Sequence, residues 1–299
     1  MLLEKKWFVL LAWQFCSLMI SCMSVSSSML SHFYGRNLPF FQLFVTYVIV
    51  LSISPFLKKS TEIQWWKFAL VAFLSILSDF LAIKSYNFTS LGSAQLLCTT
   101  PIIWVGPLSY IFFRRKMNLW QVFSILLAAT GVVLVFLADG AGDSRWFGNL
   151  LACCSAMTYA IVTCSEEFLV SNADPMTYIF RIASCTIVYS LIGSAVTYKD
   201  IISFVWTWKS ALLILAYAAF LSIYIFTTPV VIKHSNATVM NLSLLTGNFY
   251  SLGFSIILFH QKTSWLYLIG FFCIPIAIVI YTLSEKKPAE YEQLLVTQE

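Results

Sequence analysis

The chain has 299 residues, of which 60% are apolar and only 10% are charged, and its mean hydropathy is +0.83. Soluble domains carry about 25% charged residues, so this chain lacks the polar surface that coats a water-soluble globule. The net charge of +5 is spread over short segments without a long basic run, which argues against nucleic-acid binding. The composition therefore predicts an integral membrane protein.

Apolar segments of about 20 residues, the length that crosses a bilayer as a helix, recur along the whole chain. They predict ten transmembrane spans, at 7–27, 39–57, 65–83, 91–113, 119–138, 146–169, 175–197, 210–230, 237–259 and 264–284. The first span has the basic start of a signal sequence, and we interpret it as an uncleaved membrane helix because further spans follow at once. Residues 285–299 are polar and predict a disordered cytosolic tail.

The distribution of basic residues predicts the orientation in the membrane. Of the 18 Lys and Arg residues, eleven fall on the side of the amino terminus and six on the opposite side, while Arg181 lies within a span. Because cytoplasmic loops carry an excess of Lys and Arg, both termini are predicted to be cytosolic. An even number of spans agrees with this orientation.

The two halves of the chain carry a weak internal repeat. Residues 89–120 align without gaps with residues 235–266 at a constant offset of 146. These segments are spans four and nine, and their separation by an odd number of spans would invert the second half. The sequence thus predicts two five-helix units, 1–139 and 140–284, arranged as the inverted repeat that many secondary transporters share.

Small and polar residues line one face of spans four and nine, at helical spacing. They are Gly92, Gln95, Thr99 and Gly106 in span four and Thr238, Asn241, Asn248 and Ser255 in span nine. Such a stripe serves either helix packing or a cavity, and both interpretations stay open for the glycines. Both copies keep an amide, at Gln95 and at Asn241, and this favours a cavity.

Several stretches resemble the drug/metabolite transporter superfamily, and more narrowly solute carrier family 35, subfamily F. They are "SLGSAQLLCTTP" (90–101), "YAIVTCSEEFLV" (159–170), "YKDIISFVWTWKSALL" (198–213) and "VIKHSNATVMNLSLLTGNFYSLGFSIILF" (231–259). The resemblance runs from about residue 7 to residue 284. It implies an all-helical, EamA-like fold and a multi-pass carrier of a small organic solute.

The chain departs from this resemblance at acidic positions. Thr246-Gly247-Asn248 stands where the subfamily has Thr-Ala-Asp, so a neutral amide replaces an acid. The positions at which the resemblance implies acids in span three are Ser75 and Leu77 in this chain. The resemblance therefore carries no cation-coupling role onto these positions.

Besides Lys67 near the start of span three, four charged residues lie within predicted spans, where a charge costs about 2.5–3.5 kcal/mol at the helix centre. Glu166 and Glu167 end span six, and their position alone marks the membrane boundary. Glu166 also closes a stripe of polar and small residues that begins at Asn149, and Arg181 lies at similar depth in span seven. We expect Glu166 to face the cytosolic vestibule and to pair with Arg181 in one of two access states, while Glu167 supports the helix end. Asp79 in span three is either a second coupling or gating group or an interfacial acid.

The combined interpretation is a carrier that works by alternating access around a midplane site. The residues expected to bind the solute are neutral hydrogen bonders and aromatic rings, namely Gln95, Thr99, Asn241, Asn248, Trp104, Tyr159 and Tyr250. Amides with aromatics suit a nucleobase- or vitamin-like heterocycle better than a multiply charged anion. A Golgi or ER nucleotide-sugar antiporter and a non-transporting scaffold remain the alternatives.

Enzymatic chemistry, a metal site and a cofactor are not expected. The eight cysteines fall within apolar segments without a CxxC pair, and the three histidines are isolated. The motifs GxGxxG, GxSxG and HExxH and the P-loop do not occur in the sequence.

Besides the solute and the lipid bilayer, two protein partners are considered. The tail segment "EYEQLL" resembles a dileucine signal that a sorting adaptor would read through Glu290, Leu294 and Leu295, and the alternative is an unstructured, solvated tail. The second partner is another copy of the chain, as a homodimer. The predicted location is the plasma membrane or an endosomal or vacuolar membrane, ahead of the Golgi.

Overall fold

A computed structural model describes residues 2–54, 63–101, 104, 118–139, 145–172, 174–232, 244–260 and 263–284. Helix is the regular secondary structure of these residues, and no strand occurs among them. The helices are α1 (Leu2–Tyr34), α2 (Pro39–Ile53), α3 (Trp65–Ser85), α4 (Leu91–Cys98), α5 (Leu119–Asp139), α6 (Arg145–Asn172), α7 (Pro175–Val196), α8 (Tyr198–Ile202), α9 (Trp208–Ile232), α10 (Thr246–Phe259) and α11 (Trp265–Ser284). The all-helical class is confirmed for this part of the chain.

Within the described residues, five helices are long and apolar enough to cross a membrane. They contain the segments Trp65–Ser85, Leu119–Ala138, Arg145–Thr163, Pro175–Val196 and Trp208–Val231. Three shorter apolar helices cover Pro39–Ile53, Thr246–Phe259 and Trp265–Tyr281. Exposed faces carry large apolar side chains, such as Leu126 on α5 and Leu191 on α7. A soluble protein rarely exposes apolar patches of this extent, so the surface fits a lipid environment.

The structure and the sequence interpretation differ most in span four. Helix α4 ends at Cys98, and Pro101 follows two residues after Thr99, its C-terminal cap. Proline disfavours helical backbone in the residue before it, which explains an early helix end. Residues 102–103 and 105–113, the rest of the predicted span apart from Trp104, lie outside the described residues. A further difference is the short helix α8, in a segment predicted as a loop.

Helices of the first half of the chain pack mainly on helices of the second half. Helix α1 packs on α9 and α10, α2 on α7 and α9, and α3 on α6 and α7. Helix α4 packs on α6 and α10, and α5 packs on α11. The interior of the bundle is therefore formed where the two halves meet, and polar residues of both halves reach it.

Two glycines face each other in the contact between α5 and α11. A Cβ atom added to Gly270 would lie 2.8 Å from the carbonyl oxygen of Gly131, and one added to Gly131 would lie 3.0 Å from the carbonyl oxygen of Gly270. Small residues allow helix backbones to approach closely inside membranes. These two glycines therefore allow a close approach of α5 and α11.

Side-chain hydrogen bonds fasten the end of the bundle that holds the α1–α2 and α3–α4 connections. The Asn87 Nδ2 group donates to Asn37 Oδ1 at 2.7 Å, and the backbone N–H of Asn37 donates to Asn87 Oδ1 at 3.1 Å. Asn37 Nδ2 also donates to the carbonyl oxygen of Ile83. Close by, the Thr89 hydroxyl donates to Asn149 Oδ1 at 2.6 Å. This end of the bundle is thus joined by buried polar contacts across both halves.

Candidate functional site

Two candidate binding residues, Thr99 and Asn248, meet between α4 and α10. Asn248 is only 1% exposed, and its Nδ2 group donates to the Thr99 hydroxyl at 2.9 Å. The Thr99 Oγ1 atom also lies 3.1 Å from Asn248 Oδ1 and donates to the carbonyl oxygen of Leu96 at 2.8 Å. Spans four and nine therefore contact each other through residues of their polar stripes.

Gln95 lies on the same face of α4 and is held from one side only. Its side chain is 3% exposed, and its Oε1 atom accepts a hydrogen bond from the Ser24 hydroxyl at 2.6 Å. The Tyr86 hydroxyl in turn donates to Ser24 Oγ at 2.9 Å. Among the described residues, the amide nitrogen of Gln95 has no acceptor. The oriented amide can therefore donate to a carbonyl or ring nitrogen of a solute.

Helix α1 supplies a row of serines that the sequence interpretation missed. The Ser17 hydroxyl lies 3.0 Å from Thr246 Oγ1, and the Ser21 hydroxyl donates to the carbonyl oxygen of Gly247 at 3.0 Å. With Ser24, these residues form the serine face of α1. Their spacing of four and three residues is that of one helix face, and this pattern was the available signal.

A second interior group combines two carboxylates with tyrosines from several helices. We call it the acid–tyrosine cluster, and it consists of Asp79, Glu166, Tyr47, Tyr86, Tyr159, Tyr178, Tyr217 and Tyr224. All these tyrosines except the half-buried Tyr159 are buried. Of the predicted binding and coupling residues, this cluster brings together Tyr159, Asp79 and Glu166.

The two acids lie at different depths in the acid–tyrosine cluster. Ser78, next to Asp79, exchanges hydrogen bonds with Ser155 of α6: the Ser78 hydroxyl donates to the Ser155 carbonyl oxygen at 3.0 Å, and the Ser155 hydroxyl to that of Ser78 at 2.9 Å. Glu166 follows Ser155 by eleven residues (166 − 155) on α6. The Ser78–Ser155 contact places Asp79 near the level of Ser155. At 1.5 Å per residue, the two acids are therefore about 16 Å apart along the axis of α6.

Each acid has its own set of tyrosines, with two in common. Asp79 interacts electrostatically with Tyr86 and Tyr217, and Glu166 with Tyr178 and Tyr224. Both acids also act on Tyr47 from α2 and Tyr159 from α6. Tyr47 and Tyr159 are thus within electrostatic reach of both carboxylates.

Neither carboxylate is neutralised by the protein within the described residues. Glu166 is buried, at 9% exposure, and Asp79 is half-buried; neither has a hydrogen bond or an ion pair there. An isolated carboxylate buried without a partner is costly. Inside a membrane protein, such a residue marks a binding site, an ion pathway or a proton relay. The acid–tyrosine cluster is therefore suited to a cation or a proton.

Arg181 does not pair with Glu166 in this conformation. Its Nη1 group donates to the carbonyl oxygen of Ile63. Its guanidinium carbon lies 4.7 Å from the ring centroid of Trp65 and 5.1 Å from that of Phe68, distances at which a cation is attracted to an aromatic face. The pairing was expected in one of two access states, so it stays a prediction for the other state.

The remaining candidates lie nearer the surface or outside the described part of the chain. Tyr250 is exposed, and its hydroxyl donates to Gln14 Oε1 at 3.4 Å. Trp104 is also exposed, and neither ring joins the acid–tyrosine cluster. The candidates outside the described residues or side chains are Asn241, the Glu167 side chain, Glu290, Leu294 and Leu295.

Known proteins resemble this chain over most of its length. The family model described as "Solute carrier family 35" (SLC35F) matches residues 3–283. Solute carrier family 35 member F2 of Mus musculus is 28% identical over 295 residues, which cover 93% of this chain and 79% of that protein. Member F2 of Xenopus tropicalis is 28% identical over 307 residues and 94% of this chain. An uncharacterized solute carrier family 35 member of Schizosaccharomyces pombe is 25% identical over 311 residues, which cover 94% of this chain and 59% of that protein.

A solved crystal structure shares the fold. It superposes with a TM-score of 0.61 at 15% identity and covers 92% of this chain and 96% of its own. At this identity, the likeness concerns the fold alone. The match of the family model to nearly the whole chain confirms the resemblance seen in the sequence motifs. The chain therefore belongs to solute carrier family 35, and it is an integral membrane solute transporter rather than an enzyme.

Proposed function

We propose that this transporter carries a small polar heterocycle, nucleobase-like or vitamin-like, by alternating access of two inverted five-helix halves. The observation that carries the proposal is the meeting of Thr99 and Asn248 beside the oriented amide of Gln95, where helices of the two halves pack together. Transporters with inverted repeats bind their substrates at this interface.

The helix packing supports the inverted repeat. If α1 to α5 correspond in order to α6, α7, α9, α10 and α11, the α1–α9 contact corresponds to α6–α3, and α1–α10 corresponds to α6–α4. The α2–α9 contact then corresponds to α7–α3. All of these contacts are present, and the pairs α2–α7, α4–α10 and α5–α11 map onto themselves. This two-fold pattern supports halves at 1–139 and 140–284 and an EamA-like fold.

The chemistry of the interior supports a heterocycle over a nucleotide sugar. Gln95, Thr99 and Asn248 offer neutral donors and acceptors, and Tyr159 adds an aromatic ring. A nucleotide sugar carries phosphate charges that Arg and Lys side chains usually bind. In the described interior, the carboxylates of Asp79 and Glu166 have no such cation beside them. The same groups would repel a phosphate.

We place Glu166, Arg181 and Asp79 in gating or coupling. The role of Glu166 and Asp79 is supported by the absence of any hydrogen bond or ion pair to either carboxyl group within the described residues. The role of Arg181 is supported by its hydrogen bond to the carbonyl oxygen of Ile63, two residues before α3. A movement of α7 would alter this contact. Pairing of Glu166 with Arg181 in the alternate state would then help to close one access path.

Several features of the proposal concern the membrane setting. Both termini are proposed to be cytosolic, in the plasma membrane or an endosomal or vacuolar membrane. An adaptor that reads Glu290, Leu294 and Leu295 would account for an endosomal destination. Separately, Trp104, Asn241 and Tyr250 stay candidates for contact with the solute. A homodimer remains a further proposal.

The test is an uptake screen with the purified full-length chain in liposomes. Labelled nucleobases, vitamins and UDP- or GDP-sugars are offered separately, and we expect saturable uptake of a heterocycle. Exchange of a nucleotide sugar would establish the antiporter alternative instead. Absence of any flux, together with stoichiometric co-purification of a partner, would establish the scaffold alternative.

A further inference from the structure

A short segment of the second half contacts the first half at the end of α1. Helix α8 and the turn after it connect α7 to α9, at the end of the bundle that holds the α1–α2 connection. The Arg36 Nη1 group donates to Asp200 Oδ1 at 3.4 Å and to Ser203 Oγ at 3.2 Å. The hydroxyl groups of Tyr34 and Thr207 lie 2.7 Å apart. We call these five residues the α8 latch.

Local structure positions both sides of the α8 latch. Gly35 follows the last residue of α1 with a φ of 73°, a left-handed conformation that favours glycine. The chain therefore turns directly before Arg36. On the other side, Thr207 precedes the first residue of α9, and its Oγ1 atom accepts a hydrogen bond from the backbone N–H of Ser210 at 3.2 Å. The residues of the two halves are thus held at two helix ends.

Aromatic rings pack the turn after α8 onto α1 and α2. The ring centroids of Phe204 and Tyr34 lie 5.6 Å apart, and those of Trp206 and Phe41 lie 5.4 Å apart in an edge-to-face arrangement. Phe204 is also buried in an apolar cluster that contains Leu30 of α1. These contacts hold the segment against the first half and bring its polar groups to the α1–α2 connection.

The ion pair of the α8 latch crosses between the halves in contact with water. The Arg36 side chain is 47% exposed and the Asp200 side chain is 55% exposed. Water can therefore solvate both charges when they separate, so the pair forms and breaks at a small cost in free energy. The buried Asn37–Asn87 contact at the same end lies within the first half, and it can persist when the halves move apart.

We propose that the α8 latch closes this end of the bundle in the present conformation and must release each time the solute enters or leaves there. The inference rests on the proposed function, because alternating access requires the two halves to separate at one end and then at the other. The buried Thr89–Asn149 hydrogen bond also joins the halves at this end, which agrees with a closed state. The residues of the α8 latch control access to the solute site without contacting the solute in it.

A reversible cross-link tests whether the α8 latch must release. The double variant Arg36→Cys/Asp200→Cys in liposomes is treated with a short bis-methanethiosulfonate, which joins two cysteines and is removed by a reductant. We expect the cross-link to lower the uptake of labelled adenine and nicotinamide about tenfold or more, and the reductant to restore it. The two single-cysteine variants, treated in the same way, are the matched controls and should keep their uptake.

A second measurement needs no solute. Ser27 lies on α1 between Ser24 and Tyr34, and its side chain is buried, so a cysteine at this position reports entry of a water-soluble reagent. The rate of alkylation of Ser27→Cys by iodoacetate is measured in micelles, relative to the parent chain with its own eight cysteines. Arg36→Gln and Asp200→Asn should each raise this rate about two- to fivefold, as the loss of an exposed ion pair predicts.

Exchange of the two charges separates the ion pair from other effects. Arg36→Asp combined with Asp200→Arg rebuilds the pair with opposite polarity and should return the alkylation rate to that of Ser27→Cys alone. Lys199→Gln is the matched control, because Lys199 is exposed on α8 and its side chain has no hydrogen bond or ion pair among the described residues. The rate should stay unchanged in this variant.

The outcomes separate the two proposals. Undiminished uptake with the cross-link in place overturns the role of the α8 latch and leaves the carrier function intact. Alkylation rates that stay unchanged in both Arg36→Gln and Asp200→Asn also overturn it, as does a rate that the charge exchange fails to restore or that Lys199→Gln raises equally. Absence of uptake of every heterocycle by the parent chain contradicts the proposed function, while the alkylation rates still test the α8 latch.

Discussion

The Thr99–Asn248 contact allows a quantitative test of the interface between α4 and α10. The Thr99 Oγ1 atom lies 2.9 Å from Asn248 Nδ2 and 3.1 Å from Asn248 Oδ1, and Asn248 is 1% exposed. We propose the substitutions Thr99→Val and Asn248→Ala, singly and together. Thr99→Val keeps the branched shape and removes the hydroxyl, and Asn248→Ala removes the amide.

The expected magnitude follows from the geometry. Asn248→Ala leaves the Thr99 hydroxyl bonded to the Leu96 carbonyl oxygen, whereas Thr99→Val leaves a buried amide without this partner, at a cost of about 1–3 kcal/mol. Interhelical hydrogen bonds in membranes average about 0.6 kcal/mol and reach about 1.7 kcal/mol in double-mutant cycles. Because this contact is reciprocal and buried, we expect a coupling free energy of about 1 kcal/mol, towards the upper part of that range.

The assay is equilibrium unfolding of the purified chain in mixed micelles, with the free energy of unfolding measured for the parent, both single variants and the double variant. Thr130→Val is the matched control, since the exposed Thr130 hydroxyl contacts only the Leu126 carbonyl oxygen of its own helix. The changes in unfolding free energy caused by substitutions at independent sites add within about 0.3–0.5 kcal/mol. A coupling free energy below about 0.3 kcal/mol would refute the argument that this contact joins α4 and α10 energetically.

Three further substitutions test the site and the fold. Glu166→Gln removes a buried charge and should change both the uptake rate and its pH dependence, so unchanged values in a monodisperse protein would contradict a coupling role. Ser24→Ala removes the 2.6 Å hydrogen bond to Gln95 Oε1 and the acceptor of the Tyr86 hydroxyl, so it should cost about 1–3 kcal/mol of stability and raise the KM of the folded protein for the heterocycle several-fold; an unchanged KM would argue against Gln95 as a binding residue. Gly270→Val forces a branched side chain towards the Gly131 carbonyl oxygen, 2.8 Å from the new Cβ, and should destabilise the chain by about 1–3 kcal/mol; an unfolding midpoint equal to that of the parent would contradict close packing of α5 on α11.

The sequence predicted parts of the candidate site because they repeat along one helix. Gln95 and Thr99 were identified from their shared face, and the structure places both in the interior beside α1 and α10. The serine face of α1 had an equally regular spacing but was missed, because serine is also common in ordinary helix packing within membranes. Local patterns therefore identify a polar face but not the neighbour that it meets.

The interpretation of the acids shows where local reasoning ends. Glu166 was predicted from the stripe beneath it, and its burial agrees with that stripe. Its expected partner Arg181 contacts Ile63, Trp65 and Phe68 in this conformation. Similar depth in adjacent helices does not determine the rotation of either helix, so the pair could not be settled without the packing.

The sequence by itself determined the membrane class, the helical segments and the family, because apolar length, composition and motif order are properties of contiguous residues. The tertiary structure alone decided that Ser24 orients Gln95 and that tyrosines from five helical regions come within electrostatic reach of two carboxylates. These contacts join residues far apart in the chain, such as positions 24 and 95. They depend on the rotation and depth of each packed helix, which hydrophobic periodicity leaves open.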